Sequence, residues 1–167
     1  MGVFMKRLKI SKKGSGIISL VFAGALVIAL LGLMVSMPWI IDKSPLLEGA
    51  YTAFAEGDTF CGVSGACIFW IWIYSVMTVA VICCASTVIL LVRVRKSLVF
   101  TEATVSLIRL VSWGALLIAL LCALVGHYLY MAYMMALAAC FLGITVRTVK
   151  NVIEEATAIK NENDLTV

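Results

Sequence analysis

Residues 110–146 read LVSWGALLIALLCALVGHYLYMAYMMALAACFLGITV and contain no Asp, Glu, Lys or Arg. As a single helix this stretch would be about 55 Å long, nearly twice the roughly 30 Å of a membrane hydrocarbon core. The chain must therefore turn within it, and Gly126-His127 near its middle is the only break in the apolar run. The stretch predicts two membrane spans, at 110–126 and 128–146, joined by a very short turn.

Two further uncharged stretches precede this pair, at 17–40 and 67–92. The first would form a helix of about 36 Å, which is long enough to cross the membrane with some tilt. A cleaved signal peptide is the alternative, but the run is long for a signal core and lacks a small-x-small cleavage site. We therefore predict a permanent span that ends near Pro38 and Trp39. The other span opens with an aromatic belt typical of a membrane interface: Phe69, Trp70, Trp72 and Tyr74.

The charged residues alternate in sign between the segments that connect these spans. The N-terminal tail and the 93–109 connection are basic, whereas the 41–66 loop carries four acids against Lys43. By the positive-inside rule, both termini and the 93–109 connection lie in the cytoplasm, and the 41–66 loop lies outside. The net charge of +4 thus belongs to membrane-flanking segments. We predict no direct binding of nucleic acid.

The composition supports the same class of protein. The chain is 63% hydrophobic and 13% charged, about half the charge of an average soluble domain. We predict an all-α polytopic membrane protein, a single domain over 1–167 with four transmembrane helices and a cytoplasmic tail at 147–167.

Small residues predict how the last two spans pack. Small residues at four-residue spacing let the backbones of two helices approach closely, and each of these spans carries a row of such residues. The rows are Ala115, Ala119 and Ala123 on the third span and Ala132, Ala136 and Cys140 on the fourth. We expect a four-helix bundle whose last two spans form a tight antiparallel hairpin.

The tail at 147–167 carries the strongest functional signal. Five apolar residues recur at helical spacing and predict an amphipathic helix that continues the fourth span: Val149, Val152, Ile153, Ala156 and Ile159. This stripe could pack on the protein itself or a second copy, bind a partner protein, or lie on headgroups, although the acids in the tail disfavour an anionic membrane. The final residues could add to a partner's sheet edge, although frayed termini are common: Asp164, Leu165, Thr166 and Val167.

A short motif precedes the third span, with the residues Phe100, Thr101, Glu102 and Arg109. Thr101 could cap a helix that opens with Glu102, whose carboxylate suits the N-terminal end of a helix dipole. We expect this helix to run along the inner surface and to enter the membrane at about Arg109.

Cys61 and Cys67 lie in the outer loop, in the sequence CGVSGAC. Outside the cytoplasm such a pair can be oxidised, and the glycines between the cysteines could bend enough to close a ring. A structural disulfide, two free thiols and a redox-active pair stay open as alternatives. Thiol-oxidising four-helix membrane proteins need a CxxC pair and a second shuttle pair, and the sequence has neither. The other cysteines lie within predicted spans, where cysteine packs as a small apolar residue.

No pattern indicates a cofactor, a metal site or a catalytic residue. His127 and Met131 lie one helical turn apart and could contact Cu(I), but a metal site needs more converging ligands. No acid or lysine lies inside a predicted span, which argues against an ion pathway through one copy, although an oligomer could form a pore. We predict that the protein is not an enzyme.

Several motifs flank the spans: RLKI at 7–10, KKG at 12–14, FTE at 100–102 with Leu107, Arg109 and Trp113 following, VRTVKNV at 146–152, and KNENDLTV at 160–167. With these motifs the chain resembles, over nearly its whole length, the bacterial membrane family named domain of unknown function 2975. It departs from the family pattern at Val99, where Pro is usual, and at Thr104, where Asn is frequent. The resemblance implies a four-helix membrane protein that is often encoded beside a small helix-turn-helix regulator.

We therefore expect a regulatory protein of the bacterial inner (cell) membrane. Its cytoplasmic segments, 93–109 and 149–167, would hold a small helix-turn-helix transcription regulator, and the protein could also form homo-oligomers. A small-molecule or peptide resistance or transport element is the first alternative. Membrane thiol chemistry at Cys61 and Cys67 is the second.

Overall fold

The computed structural model describes residues 12–57, 63–96 and 101–164, and these form five α-helices. The helices are α1 (Lys12–Lys43), α2 (Pro45–Ala55), α3 (Gly65–Arg95), α4 (Glu102–Val125) and α5 (Tyr130–Asp164). All except α2 are long and apolar enough to cross a membrane. The predicted all-α class is therefore confirmed, and the structure has four helices of the length and composition that the four predicted spans require.

The helices form an open layer rather than a closed bundle. Across the described ranges, α1 packs on α3, α3 on α4 and α4 on α5, whereas the backbone of α5 does not closely approach that of α1 or α3. The prediction of a four-helix bundle is wrong in this respect. Lipid solvates an apolar helix face as well as another helix does, so no hydrophobic force closes the layer. α1 packs least: its most apolar window is 0% buried, against 28% for α4.

The first span ends later than the sequence predicts. Pro38 lies inside α1, and the helix continues past it to Lys43, whose Nζ lies 4.2 Å from the centre of the Trp39 ring. The break comes at Ser44, which is extended with φ −105° and ψ 106°. Pro45 causes this break, because the ring of a proline disfavours helical geometry in the residue before it.

The predicted outer loop, 41–66, contains the helix α2, which the sequence did not reveal. Pro45 at its start and Glu48 in its first turn are typical of a helix N-terminus. α2 packs against both α1 and α3 and buries Ala50 and Phe54. The core at this end of the molecule consists of Ile41, Ala50, Phe54, Phe69, Ile73 and Val125. The sequence predicts Phe69 as part of an anchoring aromatic belt, whereas the structure buries it completely.

α4 and α5 form the largest helix interface and are joined by a turn at 126–129. Small residues make this interface close: Ala119, Ala132 and Ala136 are buried. A Cβ atom added to Gly143 would lie 2.9 Å from the side chain of Leu116. This is the tight antiparallel hairpin that the small-residue rows predict.

Candidate functional site

Three cavities, of about 580, 80 and 390 Å³, lie along the α4–α5 hairpin, and we call the row of these cavities the furrow. The α4 residues that line it are spaced three and four apart, so they share one side of the helix. They are Glu102, Ser106, Arg109, Trp113, Leu116, Leu120 and Ala123. From α5 the furrow is lined by Tyr133, Leu137, Cys140, Arg147, Glu154 and Ala158.

The apolar section of the furrow lies between the uncharged parts of α4 and α5. Alanines from both helices, Ala119 and Ala136, are buried at its floor, and Leu120 and Leu137 rise at its edges with 58% and 68% exposure. This section is therefore a shallow channel with a lining suited to hydrocarbon.

The basic section follows directly, with Arg109, Trp113, Arg147 and Lys150 around the 80 Å³ cavity. The Arg147 guanidinium carbon lies 5.0 Å from the centre of the Trp113 ring, a cation–π contact. Ser112 also borders the cavity, but its buried hydroxyl donates to the Gly143 carbonyl at 3.0 Å. Three cations are thus gathered beside the last uncharged turns of the hairpin.

Glu154 connects two of these cations. Its Oε1 accepts a hydrogen bond from Arg109 Nη2 at 3.1 Å, and its Oε2 pairs with Lys150 Nζ. The Lys150 side chain is 15% exposed, whereas those of Arg109 and Glu154 are about half exposed. The hydrogen bond from Lys150, helped by the charges of Lys150 and Arg109, lowers the pKa of Glu154 below its ordinary value. Arg109 and Glu154 join the two helices outside the uncharged run at 110–146.

We expect Glu154→Gln to loosen the end of α5 without disturbing the membrane-spanning part. Amide exchange around residues 150–160 should accelerate about twofold to fivefold, the range expected for exposed ion pairs. A lowered carboxyl pKa stabilises the contact above the ordinary pKa, and this stabilisation disappears as the pH falls through the lowered value. Wild-type exchange should therefore approach that of Glu154→Gln in acid.

The matched control is Glu155→Gln, which removes the neighbouring exposed carboxylate. Glu155 has no ion pair in the described part of the chain, so its removal should leave exchange unchanged. Equal acceleration in both variants would show that general charge, rather than the contacts of Glu154, sets the exchange rate.

The ends of α4 and α5, from the cations of the basic section onward, form a packed stalk, which we define as residues 102–109 and 147–164. Thr104, Val105, Ile108 and Thr157 are buried in it. α4 is the only helix that α5 contacts within the described ranges, so the buried side of α5 faces α4. The stalk is thus a two-helix extension of the hairpin.

The structure divides the predicted partner-binding stripe. Ile153 and Ala156 are half-buried on the side toward Thr157 and α4. The others remain exposed: Val149 by 48%, Val152 by 63% and Ile159 by 54%. Asp164 ends α5, but its side chain lies outside the described part, as do Leu165, Thr166 and Val167.

The motif before the third span is part of α4. Phe100 lies outside the described residues, and α4 begins at Glu102 as predicted. Thr101 is the N-cap residue of α4, as predicted, but its hydroxyl makes no capping hydrogen bond and lies 2.9 Å from the Thr104 hydroxyl. No separate surface helix precedes Arg109, because α4 is continuous from Glu102 and packs along α5.

The cysteines provide no disulfide within the described residues. Cys61 lies outside them, and Cys67 is a free, exposed thiol whose Sγ is 3.4 Å from Ser64 Oγ. Cys122 is buried between α4 and α5, next to Ala132 and Ala136. The predicted pairing of Cys61 with Cys67 therefore gains no support.

His127 and Met131 are both exposed at or just after the α4–α5 turn. The His127 ring lies edge-on to Tyr128, with 5.6 Å between the ring centres. The described ranges contain no group of three His, Cys, Asp or Glu side chains that could hold a metal ion.

A family profile described as "Protein of unknown function (DUF2975)" matches residues 47–167. The chain belongs to this family. The DUF2975 match begins within α2 and runs through α5, so it includes Cys61 and Cys67. It does not include α1 or the basic motifs at 7–14, although the resemblance was expected to cover them. No curated protein and no solved structure matches the chain.

Sequence reasoning did not identify the basic section as a site. Arg147 and Lys150 indicate only the end of a span, and Arg109 and Trp113 indicate a family motif. The available signal was the i,i+4 spacing of Arg109 with Trp113 and of Lys150 with Glu154. Only the register between α4 and α5 brings the two pairs together.

Proposed function

We propose that this DUF2975 protein is a membrane-embedded regulatory protein whose stalk binds a small helix-turn-helix transcription regulator. One observation carries the proposal: α5 keeps an exposed apolar row beyond Arg147, the first charged residue after the uncharged run at 110–146. The row consists of Val149, Val152 and Ile159. Exposed apolar residues face lipid within a span, but past Arg147 they face water unless a protein covers them.

The stalk is built to hold this row in place. α5 extends about 26 Å past Arg147 as a continuous helix. Its other side is packed on α4 through Thr157 and tied by the Arg109–Glu154 ion pair. A helix that is already ordered costs a partner less binding free energy than a segment that must fold on binding.

Charge favours a basic protein as the partner. Past Lys150, α5 carries the acids Glu154, Glu155, Glu162 and Asp164 against a single cation, Lys160, and acids near a membrane surface oppose binding of this part to anionic headgroups. A regulator that binds DNA carries an excess of positive charge, which complements these acids. The family resemblance supplies the class of the regulator, because related proteins are often encoded beside a small helix-turn-helix protein.

The test compares four versions of the tagged protein in native membranes, with the proteins recovered after crosslinking identified by mass spectrometry. They are the wild type, a version ending at Asn151, the double variant Val152→Asp/Ile159→Asp, and the double control Asn151→Asp/Ala158→Asp. The control adds the same two negative charges at exposed positions with the same seven-residue spacing, about 100° around α5 from Val152 and Ile159. We expect a helix-turn-helix protein with the wild type and the control, and at least about a tenfold loss with the other two.

Binding of that regulator by the truncated version would contradict the proposal, as would recovery of only a second copy of the chain. The second result would favour a homo-oligomer, for which the open layer leaves the outer sides of α1 and α5 available. A resistance or transport element would be supported if span variants, but not the truncation, abolish tolerance of a toxic compound. Thiol chemistry would require a phenotype for the double variant Cys61→Ser/Cys67→Ser.

A further inference from the structure

We infer that the α4–α5 furrow binds one anionic phospholipid, with its phosphate in the basic section and an acyl chain in the apolar section. This inference is independent of the regulator proposed above, since the exposed row of Val149, Val152 and Ile159 does not line the furrow.

The charges of the furrow fit one phosphodiester. Arg109, Arg147 and Lys150 contribute three positive charges, and Glu154 and Glu102 contribute two negative ones. The difference, three minus two, is a single uncompensated positive charge. A phosphodiester carries one negative charge, so one bound phospholipid headgroup such as phosphatidylglycerol would make the furrow neutral.

The basic section also has the shape of a phosphate site. Its cavity of about 80 Å³ is larger than the space that one water needs, so it has room for a polyatomic anion such as phosphate. The contact with Trp113 holds the guanidinium plane of Arg147 in place. The N–H donors of a guanidinium point outward in that plane and match phosphate oxygens in pairs.

The order of the sections selects a lipid over a free phosphate. Arg109 and Arg147 are the first charged residues next to the uncharged spans, which is the level of the headgroups. From Trp113 the apolar section continues along α4 to Ala123, about 15 Å deeper into the membrane. A phospholipid at a membrane surface has the same order, with the phosphate outside and the chain inside. A free phosphate would leave the apolar section unused.

The test measures lipid retained by the full-length protein after purification from nanodiscs of phosphatidylglycerol or phosphatidylcholine, by native mass spectrometry. We expect about one phosphatidylglycerol per chain and little phosphatidylcholine. Arg147→Gln should reduce the retained phosphatidylglycerol about fivefold, in line with about 1 kcal/mol per basic residue at a membrane surface. The matched control is Arg95→Gln, which removes an exposed arginine from the end of α3, outside the furrow.

A second variant tests whether the apolar section binds the acyl chain of the phospholipid, by a change of side-chain size rather than charge. Ala123→Phe fills the far end of the apolar section and should also reduce phosphatidylglycerol, although it leaves every charge in place. Equal retention by wild type, Arg147→Gln and Ala123→Phe would overturn the proposal and indicate unspecific surrounding lipid. Displacement of phosphatidylglycerol by millimolar inorganic phosphate, with no effect of Ala123→Phe, would overturn it in favour of a simple anion site.

Discussion

Gly65→Val should prevent α2 from docking on α3 and strongly destabilise the protein. Gly65 is the first residue of α3, and the backbone of Phe54 in α2 passes directly over it. A Cβ atom at Gly65 would overlap the Phe54 carbonyl oxygen and lie 2.7 Å from its carbonyl carbon. Backbone atoms cannot rotate away as a side chain can, so the whole of α2 must move.

We expect this change to cost more than about 3 kcal/mol, the upper end for ordinary overpacking. Gly65→Ala should cost nearly as much, because the first added atom already overlaps. The measurement is thermal unfolding in detergent, followed by the fluorescence of Trp70 and Trp72, which pack against this core. Gly49→Ala is the matched control, since nothing lies within 4 Å of a Cβ added there. A Gly65→Ala protein as stable as the control would refute the α2–α3 contact.

Phe69→Ala should be the most destabilising side-chain truncation in the same core. The Phe69 ring is 0% exposed and lies 5.5 Å from Phe54 and 5.6 Å from Tyr51, measured between ring centres. It also lies 6.1 Å from Trp72, whose Nε1 donates to the Leu121 carbonyl of α4 at 2.8 Å. Phe69 thus fills the space where α2, α3 and α4 are held together.

Truncation leaves a cavity that the surrounding rings cannot fill, and we expect a loss of about 3–5 kcal/mol in the free energy of unfolding. The loss is again measured by thermal unfolding in detergent, followed by tryptophan fluorescence. Phe141→Ala removes an identical side chain from α5 where it is 69% exposed, and it should change stability little. Similar losses for both variants would mean that Phe69 is not part of a packed core.

The site could be predicted only in its components. The charges that end the spans and the apolar stripe after Arg147 are visible in the sequence, because both depend on local spacing. The side of the stripe that α4 covers is not visible. Burial of Thr157 assigns Ile153 to the inner side and leaves Val152 exposed. Equally apolar residues of one stripe cannot be separated until the partner helix is known.

The sequence by itself determined the four spans, the turn near Gly126 and the close pairing of α4 with α5. These features follow from the bilayer. A helix must have a minimum uncharged length to cross the hydrocarbon core, and the core contains no water that could form hydrogen bonds with backbone groups left unpaired by a break in the helix. Tertiary structure alone decided that α2 is a helix, that the layer stays open, and that Arg109, Arg147 and Lys150 meet beside Trp113. α2 depends on tertiary structure because it is too short to be a stable helix without its contacts with α1 and α3. The cations depend on it because they meet only in one register of α4 against α5, and this register is set by contacts such as the hydrogen bond from Ser112 to the Gly143 carbonyl.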